Sequence, residues 1–319
     1  MLSVIIPAYN EDKCIKRAYT AINSLLSENN IESEFVFVDD GSSDQTYKEI
    51  KELSLENENI AGLHFSRNFG KEAAISAGLF AAKGDCAVVI DCDLQHPPEK
   101  IIEMYRLWEQ GYEIIEGVKK ERGEEKKMHS IGAKFFYSVI SRMAGFDMAN
   151  SSDFKLLDRK VIDVLNKMPE RGFFRAISYW IGYNKTTVEF DVSERVDGES
   201  KWSTMGLVKY AISNISSYST APMQTVTVLG FLMLVISVIF GVWALIDKMV
   251  GRALEGMTTV IIITIFIGSI IMISLGIIGY YIARIYEEIK GRPKYIISST
   301  TMSEAKKTDA SKSDVLLHR

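Results

Sequence analysis

The sequence predicts an α/β fold with a mostly parallel sheet, followed by two transmembrane helices. In the first two hundred residues, short apolar runs alternate with longer helix-like segments, as in a parallel sheet that helices cover on both faces. In the last third, 226–246 and 257–283 contain no charged residue. A helix of either length is about 30 Å long or more, which is enough to cross a bilayer core.

Five strands are predicted from apolar runs that end in polar loops: LSVIIPAYN, EFVFVDDGSSD, IAGLHFS, DCAVVIDCD and EIIEGVK. The segments between them predict helices. The first covers 11–28, and Ser43 or Asp44 is placed to cap the second. The third is the alanine-rich NFGKEAAISAGLFAAKG, which Gly84 is expected to end, and the fourth is PEKIIEMYRLWEQG.

The composition limits the class of protein. The chain has 319 residues and a net charge of -4, so it gives no electrostatic reason to expect nucleic-acid binding. The cysteines are odd in number and lack zinc-site spacing, which favours reduced thiols in a cytosol-facing domain; they are Cys14, Cys86 and Cys92. The first residues lack a basic flank, so no secretory signal peptide is expected.

Two predicted strands end in paired acids, Asp39-Asp40 and Asp91-Cys92-Asp93. In open α/β sheets, ligands bind beyond the carboxyl ends of the strands. Two carboxylates held there repel each other and lose hydration, so they need a counter-charge, and a hard cation such as Mg²⁺ suits them. The alternative for the first pair is a turn with a helix cap, in which one acid caps while the other binds. The chain has neither a dinucleotide fingerprint nor a P-loop, which gives a dehydrogenase or an ATPase little support.

A family resemblance is carried by several motifs in order. SVIIPAYNE, FVFVDDGSSD, SRNFGKEAAISAG and VIDCDLQHPPE resemble the family 2 glycosyltransferases, whose GT-A fold is Rossmann-like. SSDFKLLDR, RVDGESKWS and the terminal spans resemble one branch, the polyprenyl-phosphate glycosyltransferases. That branch includes bactoprenol glucosyltransferases and relatives of dolichol-phosphate mannose synthase. The resemblance covers nearly the whole chain up to about residue 290.

The resemblance implies a donor site, residue by residue. The residues expected to bind the nucleotide sugar are Pro7, Tyr9, Glu11, Asp40, Lys71, Asp91 and Gln95. Asp40 would accept a hydrogen bond from the base, and Asp91 and Asp93 would hold Mg²⁺ or Mn²⁺ against the diphosphate. Lys71 can contact a phosphate or form a salt bridge at the start of a helix, and His96 takes part directly or only orients its loop.

Asp153 and Asp93 are the residues expected to be catalytic. Asp153, in SSDFKLLDR, matches the family position beside the acceptor. Inverting transfer to a hydroxyl needs a general base, whereas a phosphate monoester is already an anion at pH 7. Asp153 is therefore a base or a group that orients acceptor or sugar, and the alternative is a purely structural residue. The family often has Arg where Lys155 stands, and an ammonium lacks the guanidinium's fork.

Four cations are candidates for binding the lipid phosphate: Arg122, Arg175, Arg195 and Lys201. A planar guanidinium suits a phosphate, and it stays charged at all relevant pH values. Arg195 and Lys201 come just before the span region, where a lipid headgroup would lie. Arg122 stands in VKKERGEEKK, a segment rich in both signs of charge that departs from the family pattern.

The predicted domains follow from these features. A cytoplasmic GT-A catalytic domain covers 1–203, and an amphipathic interfacial helix, or an ordinary packing helix, covers 204–222. A two-helix transmembrane hairpin covers 223–290, and a polar, disordered tail covers 291–319. The larger basic excess follows the second span, which places the catalytic domain and both termini on the cytoplasmic side of the plasma membrane.

The expected function is metal-dependent, inverting transfer of one sugar to undecaprenyl phosphate at the cytoplasmic membrane face. UDP-glucose is the favoured donor, although GDP-mannose, UDP-galactose and UDP-N-acetylglucosamine fit the same residues. One alternative is a processive polysaccharide synthase, which would need a Gln-x-x-Arg-Trp motif and more spans. Another is a non-catalytic membrane subunit that binds nucleotide sugars. Association into a homo-oligomer through the spans is a further expectation.

Overall fold

The structure is a computed structural model that describes residues 1–119, 152–168, 174, 181–191 and 256–302, with isolated helical positions between 228 and 250. The chain divides into two compact units. The first comprises Met1–Lys201 together with Pro293–Arg319, and the second comprises Trp202–Arg292. The sheet lies in the first unit, and a long apolar helix lies in the second.

The strands described are β1 (Leu2–Ala8), β2 (Ser33–Asp39), β3 (Ile60–Phe65), β4 (Cys86–Val89), β5 (Ile114–Lys119), β6 (Lys155–Asp158), β7 (Lys185–Phe190) and β8 (Ile297–Thr300). The helices described are α1 (Ile15–Glu28), α2 (Thr46–Glu56), α3 (Lys71–Ala81), α4 (Glu99–Glu109), α5 (Arg159–Lys167) and α6 (Met257–Ile289).

One eight-stranded sheet has the order β7-β5-β6-β4-β1-β2-β3-β8. Strands β1, β2, β3 and β4 pair in parallel, and so do β5 and β7. Strand β6 runs antiparallel to β4 and β5, and β8 runs antiparallel to β3. The predicted mostly parallel α/β sheet is therefore confirmed.

The central strands are apolar on both sides because helices cover both faces of the sheet. Val4 and Ile6 of β1 pack in one cluster with residues of α1 and α4, whereas Ile5 packs in another with residues of α3 and α5. All three side chains are fully buried. This packing explains why the apolar runs are continuous rather than alternating.

Helix α3 differs from its prediction at the carboxyl end. It ends at Ala81, with Ala82 as the capping residue, so Gly84 does not end it. A Cβ atom at Gly84 would lie 2.7 Å from the backbone oxygen of Met1. The glycine is therefore required by a close approach to the start of β1, not by the helix terminus.

The start of the predicted disordered tail is ordered in the structure. Strand β8 pairs with the edge strand β3, and the backbone N–H of Thr301 donates to the oxygen of Gly62 at 2.9 Å. The ring of Tyr295 stacks on that of Phe65, with centroids 5.0 Å apart. The polar sequence of this segment does not predict a strand. The segment becomes one because β3, at the edge of the sheet, offers unpaired backbone N–H and C=O groups. Residues 303–319 lie outside the described residues.

Helix α6 is, among the described residues, the one helix long and apolar enough to cross a membrane. Its most apolar window, Phe266–Ala283, has a mean hydropathy of 2.0, and none of that window is buried. The other predicted span lies mostly outside the described residues. Its described positions are helical, with exposed side chains such as Phe231 and Trp243. The predicted interfacial segment, 204–222, also lies outside them.

Candidate active site

A cavity of about 310 Å³ lies at the carboxyl ends of β1, β2 and β4 and at the start of α3. We call it the strand-end cavity. Seven of the predicted site residues line it: Pro7, Tyr9, Glu11, Asp40, Lys71, Asp91 and Asp93. Five further residues line it that the sequence did not single out, Ala8, Asn68, Gly70, Ala74 and Cys92. Ala8 and Cys92 are adjacent in sequence to predicted site residues, so they could have been predicted from those neighbours.

The loops that follow β1 and β2 are hydrogen-bonded to each other. The backbone N–H of Asn10 donates to Oγ of Ser42 at 2.9 Å, and that of Ser43 donates to Oδ1 of Asn10 at 3.0 Å. Asn10 has a φ of 56°, a left-handed conformation that Asn adopts more readily than most residues. This mutual bonding fixes the part of the cavity wall formed by Tyr9 and Glu11.

Asp40 anchors the loop that leads into α3. Its two carboxylate oxygens accept hydrogen bonds from the backbone N–H groups of Phe69 at 2.6 Å and Gly70 at 2.9 Å. Burial raises the pKa of Asp40, although these two hydrogen bonds oppose the shift. Asp40 thus lines the cavity and also holds the backbone from which Lys71 projects.

Asp39 has a different role from its neighbour. It is fully buried, and its Oδ1 accepts a hydrogen bond from the backbone N–H of Ser42 at 3.0 Å. Its Oδ2 lies 2.6 Å from Nδ1 of His64 on β3. The acid pair therefore combines two of the expected possibilities, because Asp39 stabilises a turn while Asp40 faces the cavity. Asp44 accepts from the N–H of Thr46 at 2.9 Å, at the start of α2.

The loop after β4 makes a tight turn that places its acids at the sheet edge. Pairing with β1 continues past the strand, since the N–H of Ile90 donates to the oxygen of Ile5 at 3.0 Å. Leu94 has a φ of 56°, which is uncommon for a bulky residue and marks local strain. The N–H of Gln95 donates to Oδ1 of Asp93 at 3.0 Å. Gln95 therefore supports Asp93 through its backbone and is not among the residues that line the cavity.

Strand register brings Asp153 to the same edge. Lys155 lies opposite Val89 in the antiparallel pair of β6 and β4. Asp153 lies two residues before Lys155, and Asp91 lies two residues after Val89. Because the strands are antiparallel, this register places Asp153 opposite Asp91. The Nζ atom of Lys71 lies 2.6 Å from Oδ1 of Asp91 and 3.0 Å from Oδ2 of Asp153. The two acids, 62 positions apart in the sequence, thus share one cation.

Lys71 is a stable cation in this cluster. Burial lowers its pKa, but the carboxylates of Asp91 and Asp153 outweigh that effect and raise it above the usual value. The side chain of Asp153 is only 7% exposed, whereas that of Lys71 is 41% exposed. Lys71 therefore reaches from solvent to an almost buried acid. Of its two predicted roles, the salt bridge is present in this structure.

The acids suit a metal ion that shares its ligands with a substrate. Within the described residues there is no group of three or more His, Cys, Asp or Glu side chains that could hold a metal. Asp91 and Asp93 instead supply carboxylate oxygens beside an open cavity. Mg²⁺ is commonly held in this way, by one or two carboxylates with water and phosphate oxygens completing its coordination. The donor set fits such an ion.

His96 lies behind Asp91 and is buried. Its ring stacks on Phe154 with centroids 5.0 Å apart and meets Phe190 edge-on at 5.2 Å. Burial lowers the pKa of His96, which favours the neutral ring. Its Nδ1 is 4.0 Å from Oδ2 of Asp91 and has no hydrogen-bond partner among the residues that the structure describes. The ring thus forms an aromatic wall behind the first acid of the loop.

The four predicted lipid-phosphate residues, Arg122, Arg175, Arg195 and Lys201, lie outside the described residues. Their roles remain predictions from the sequence.

The mostly parallel sheet, with acids at its carboxyl edge, agrees with the GT-A fold expected from the family resemblance. Residues 3–165 match the model of glycosyl transferase family 2, and the chain belongs to this family of enzymes. It is 36% identical over 300 residues to an uncharacterised glycosyltransferase of Synechocystis sp., covering 93% of this chain and 94% of that one. It is 34% identical over 302 residues to the SfII prophage-derived bactoprenol glucosyl transferase of Shigella flexneri, covering 94% and 98%.

Among solved structures, the chain resembles glucosyl-3-phosphoglycerate synthase from Mycobacterium tuberculosis in complex with Mn²⁺, UDP and phosphoglyceric acid. The TM-score is 0.49 and the identity is 17%, over 67% of this chain and 76% of that one. A likeness this distant carries no inference about what this chain binds.

Proposed function

We propose that the protein transfers one sugar, with inversion, from a nucleotide sugar to a polyprenyl phosphate, using a divalent metal ion. UDP-glucose is the proposed donor and undecaprenyl phosphate the proposed acceptor. The observation that carries the proposal is the cluster of Lys71, Asp91 and Asp153 at the strand-end cavity. The similarity to bactoprenol glucosyl transferases over almost the whole chain supports this acceptor class.

The strand-end cavity has the size and chemistry for the donor. Its volume falls in the range of small-molecule sites, and it lies where α/β sheets bind ligands. Pro7, Tyr9, Glu11 and Asp40 would line the nucleotide part. The start of α3 favours negative charge through the helix dipole, and a Cβ atom built at Gly70 has no atom within 4 Å. This space, next to Lys71, suits a diphosphate.

Asp91 and Asp93 would hold Mg²⁺ or Mn²⁺, which supplies charge neutralisation for the leaving nucleoside diphosphate. Lys71 would add a second positive charge at the same place. In the reaction, an acceptor oxygen forms a bond to the anomeric carbon while the bond from that carbon to the diphosphate oxygen breaks. Attack from the face opposite the leaving group inverts the configuration.

Asp153 would act on the acceptor side of the cavity. A lipid phosphate has its second pKa near 6, so at pH 7 its oxygen attacks without losing a proton to the enzyme. In this proposal Asp153 orients the sugar or the acceptor and keeps Lys71 in place. Arg122, Arg175, Arg195 and Lys201 would bind the phosphate of the lipid.

Helix α6 supports a membrane location. Its apolar side chains are exposed, as expected for a helix that faces lipid. The chain segments before and after the second unit both belong to the first unit, because β3 and β8 pair in one sheet. A membrane segment between them must therefore cross an even number of times, which supports the proposed two-span hairpin. The basic residues after the second span favour a cytoplasmic catalytic domain at the plasma membrane.

The test is transfer of labelled sugar from a panel of nucleotide sugars to undecaprenyl phosphate by the purified full chain, with and without a chelator. One donor should give a glycolipid, and the chelator should abolish it. Measurable nucleotide binding without product from any donor would instead favour the non-catalytic alternative.

A further inference from the structure

A buried ion pair lies next to the candidate active site, between two neighbouring strands whose pairing the sequence did not predict. The Nζ atom of Lys155 is 3.0 Å from Oε1 of Glu116, and the two side chains are 1% and 11% exposed. The residues face each other in the antiparallel pair of β5 and β6. Lys155 is also opposite Val89, the last residue of β4 before the acidic loop.

Stability alone does not explain this pair. Both charges lose most of their hydration, and the attraction between them roughly compensates for that cost. An apolar pair of similar volume is often as stabilising or more so. The useful property of the pair is therefore its directionality, because a carboxylate fixed by an ammonium presents its oxygen at a defined point.

That oxygen holds the residue before Asp153. Oε1 of Glu116 also accepts a hydrogen bond from the backbone N–H of Ser152 at 3.1 Å. Oγ of Ser152 donates to the oxygen of Gly117 at 2.5 Å, and the N–H of Gly117 donates to the oxygen of Phe154 at 2.8 Å. The backbone N–H before Asp153 is thus bound to Glu116, and the backbone oxygen after it is bound to Gly117, the next residue of β5.

We propose that Glu116 and Lys155 are positioning residues for Asp153. Lys155 fixes the carboxylate of Glu116, which in turn fixes the backbone of Ser152 and so keeps the carboxylate of Asp153 beside Lys71 and Asp91. The inference rests on the proposed function, in which Asp153 orients the reacting groups. An error of about 1 Å in such a group can lower the rate about 100-fold.

Two charge-free double variants isolate the positioning role. Glu116→Met with Lys155→Met removes the acceptor for the Ser152 N–H, whereas Glu116→Gln with Lys155→Met keeps an acceptor oxygen. Both variants remove the two charges of this pair together, so neither charge stays buried without the other, and both variants are expected to fold. Lys160→Met is the matched control, since Lys160 pairs at 3.7 Å with Glu113, the residue before β5, and the lysine side chain is 72% exposed.

The measurements are amide hydrogen exchange over 152–154, UDP affinity, and kcat and KM for transfer. The Met/Met variant should exchange faster at these amides and lose kcat about tenfold or more, with UDP affinity within about twofold of the wild type. The Gln/Met variant should regain only part of the protection and the rate, because it keeps an acceptor oxygen for the Ser152 N–H but lacks the Lys155 ammonium that fixes this oxygen. Lys160→Met should match the wild type.

Equal exchange at 152–154 in the Met/Met variant and the wild type would overturn the inference, whatever the activities are. Equal loss of rate in both double variants, in step with a lower melting temperature, would also overturn it and show a structural role. If the wild type transfers no sugar, the proposed function fails, and hydrogen exchange still decides whether the pair positions Asp153.

Discussion

Lys71 and Asp91 form an ion pair with 2.6 Å between Nζ and Oδ1, so the first acid of the Asp91-Cys92-Asp93 loop already has a cation beside it. The sequence indicated that acids at this edge need a counter-charge, and a metal ion was the expected answer. The structure adds a second source of positive charge from the chain itself. We infer that the positive charge of Lys71 offsets the repulsion between Asp91 and Asp153. The same charge would then stabilise the leaving diphosphate.

Lys71→Met should lower kcat/KM for transfer about 100-fold or more, because the acids lose a cation and the diphosphate loses a contact. UDP affinity should fall as well. Lys71→Arg is the matched control, and it should keep much of the affinity because the charge remains. Steady-state kinetics and calorimetric UDP titration provide the measurements. Wild-type turnover by Lys71→Met would contradict the proposed role of Lys71 in transfer.

Much of the site could be predicted because parallel strands bring their carboxyl ends to one edge. Asp40 after β2 and Asp91 and Asp93 after β4 were visible as polar residues behind apolar runs, and all three line the cavity. The neighbours of Asp153 could not be predicted in the same way. Strand β6 has four residues and inserts between β4 and β5, so the partners Glu116 and Val89 of its Lys155 are set by non-local pairing.

The carboxyl end of the fold was also hidden from the sequence. Tyr295 follows a long apolar helix, and the residues after it are mostly polar, which is a pattern of a disordered tail. Pairing with β3 and the stack on Phe65 stabilise this segment as an edge strand. A short strand of this kind depends on its partner, and its own sequence carries little signal.

Asp93→Ala should lower transfer about 100-fold or more, because it removes a carboxylate that we propose as a ligand of the metal ion. The protein should stay folded, since Asp93 lies in a loop at the cavity. Asp163→Ala, which removes an exposed acid from α5, is the control and should keep wild-type activity. Transfer should be measured after chelation and after readdition of Mg²⁺ or Mn²⁺. Metal-dependent turnover by Asp93→Ala at the wild-type rate would show that the metal site is elsewhere.

Tyr295→Ala should lower the free energy of unfolding by about 1–2 kcal/mol, because it removes the ring that stacks on Phe65 next to β8. Tyr295→Phe retains the ring and should lower the free energy by less than Tyr295→Ala does. Denaturant unfolding of the full chain in detergent, followed by fluorescence or circular dichroism, compares the two. Equal stability of Tyr295→Ala and Tyr295→Phe would mean that the stack contributes nothing to the sheet edge.

His64→Phe should destabilise the protein by about 1–3 kcal/mol and weaken UDP binding, because it removes the partner of Oδ2 in the fully buried carboxylate of Asp39. Asp39 also accepts from the N–H of Ser42, whose hydroxyl binds the backbone of Asn10. A displaced Asp39 would therefore loosen both loops of the cavity wall. His64→Gln can still donate a hydrogen bond and should retain most of the affinity. If UDP binds His64→Phe as tightly as the wild type at a temperature where both are folded, the pair stabilises the strands without shaping the cavity.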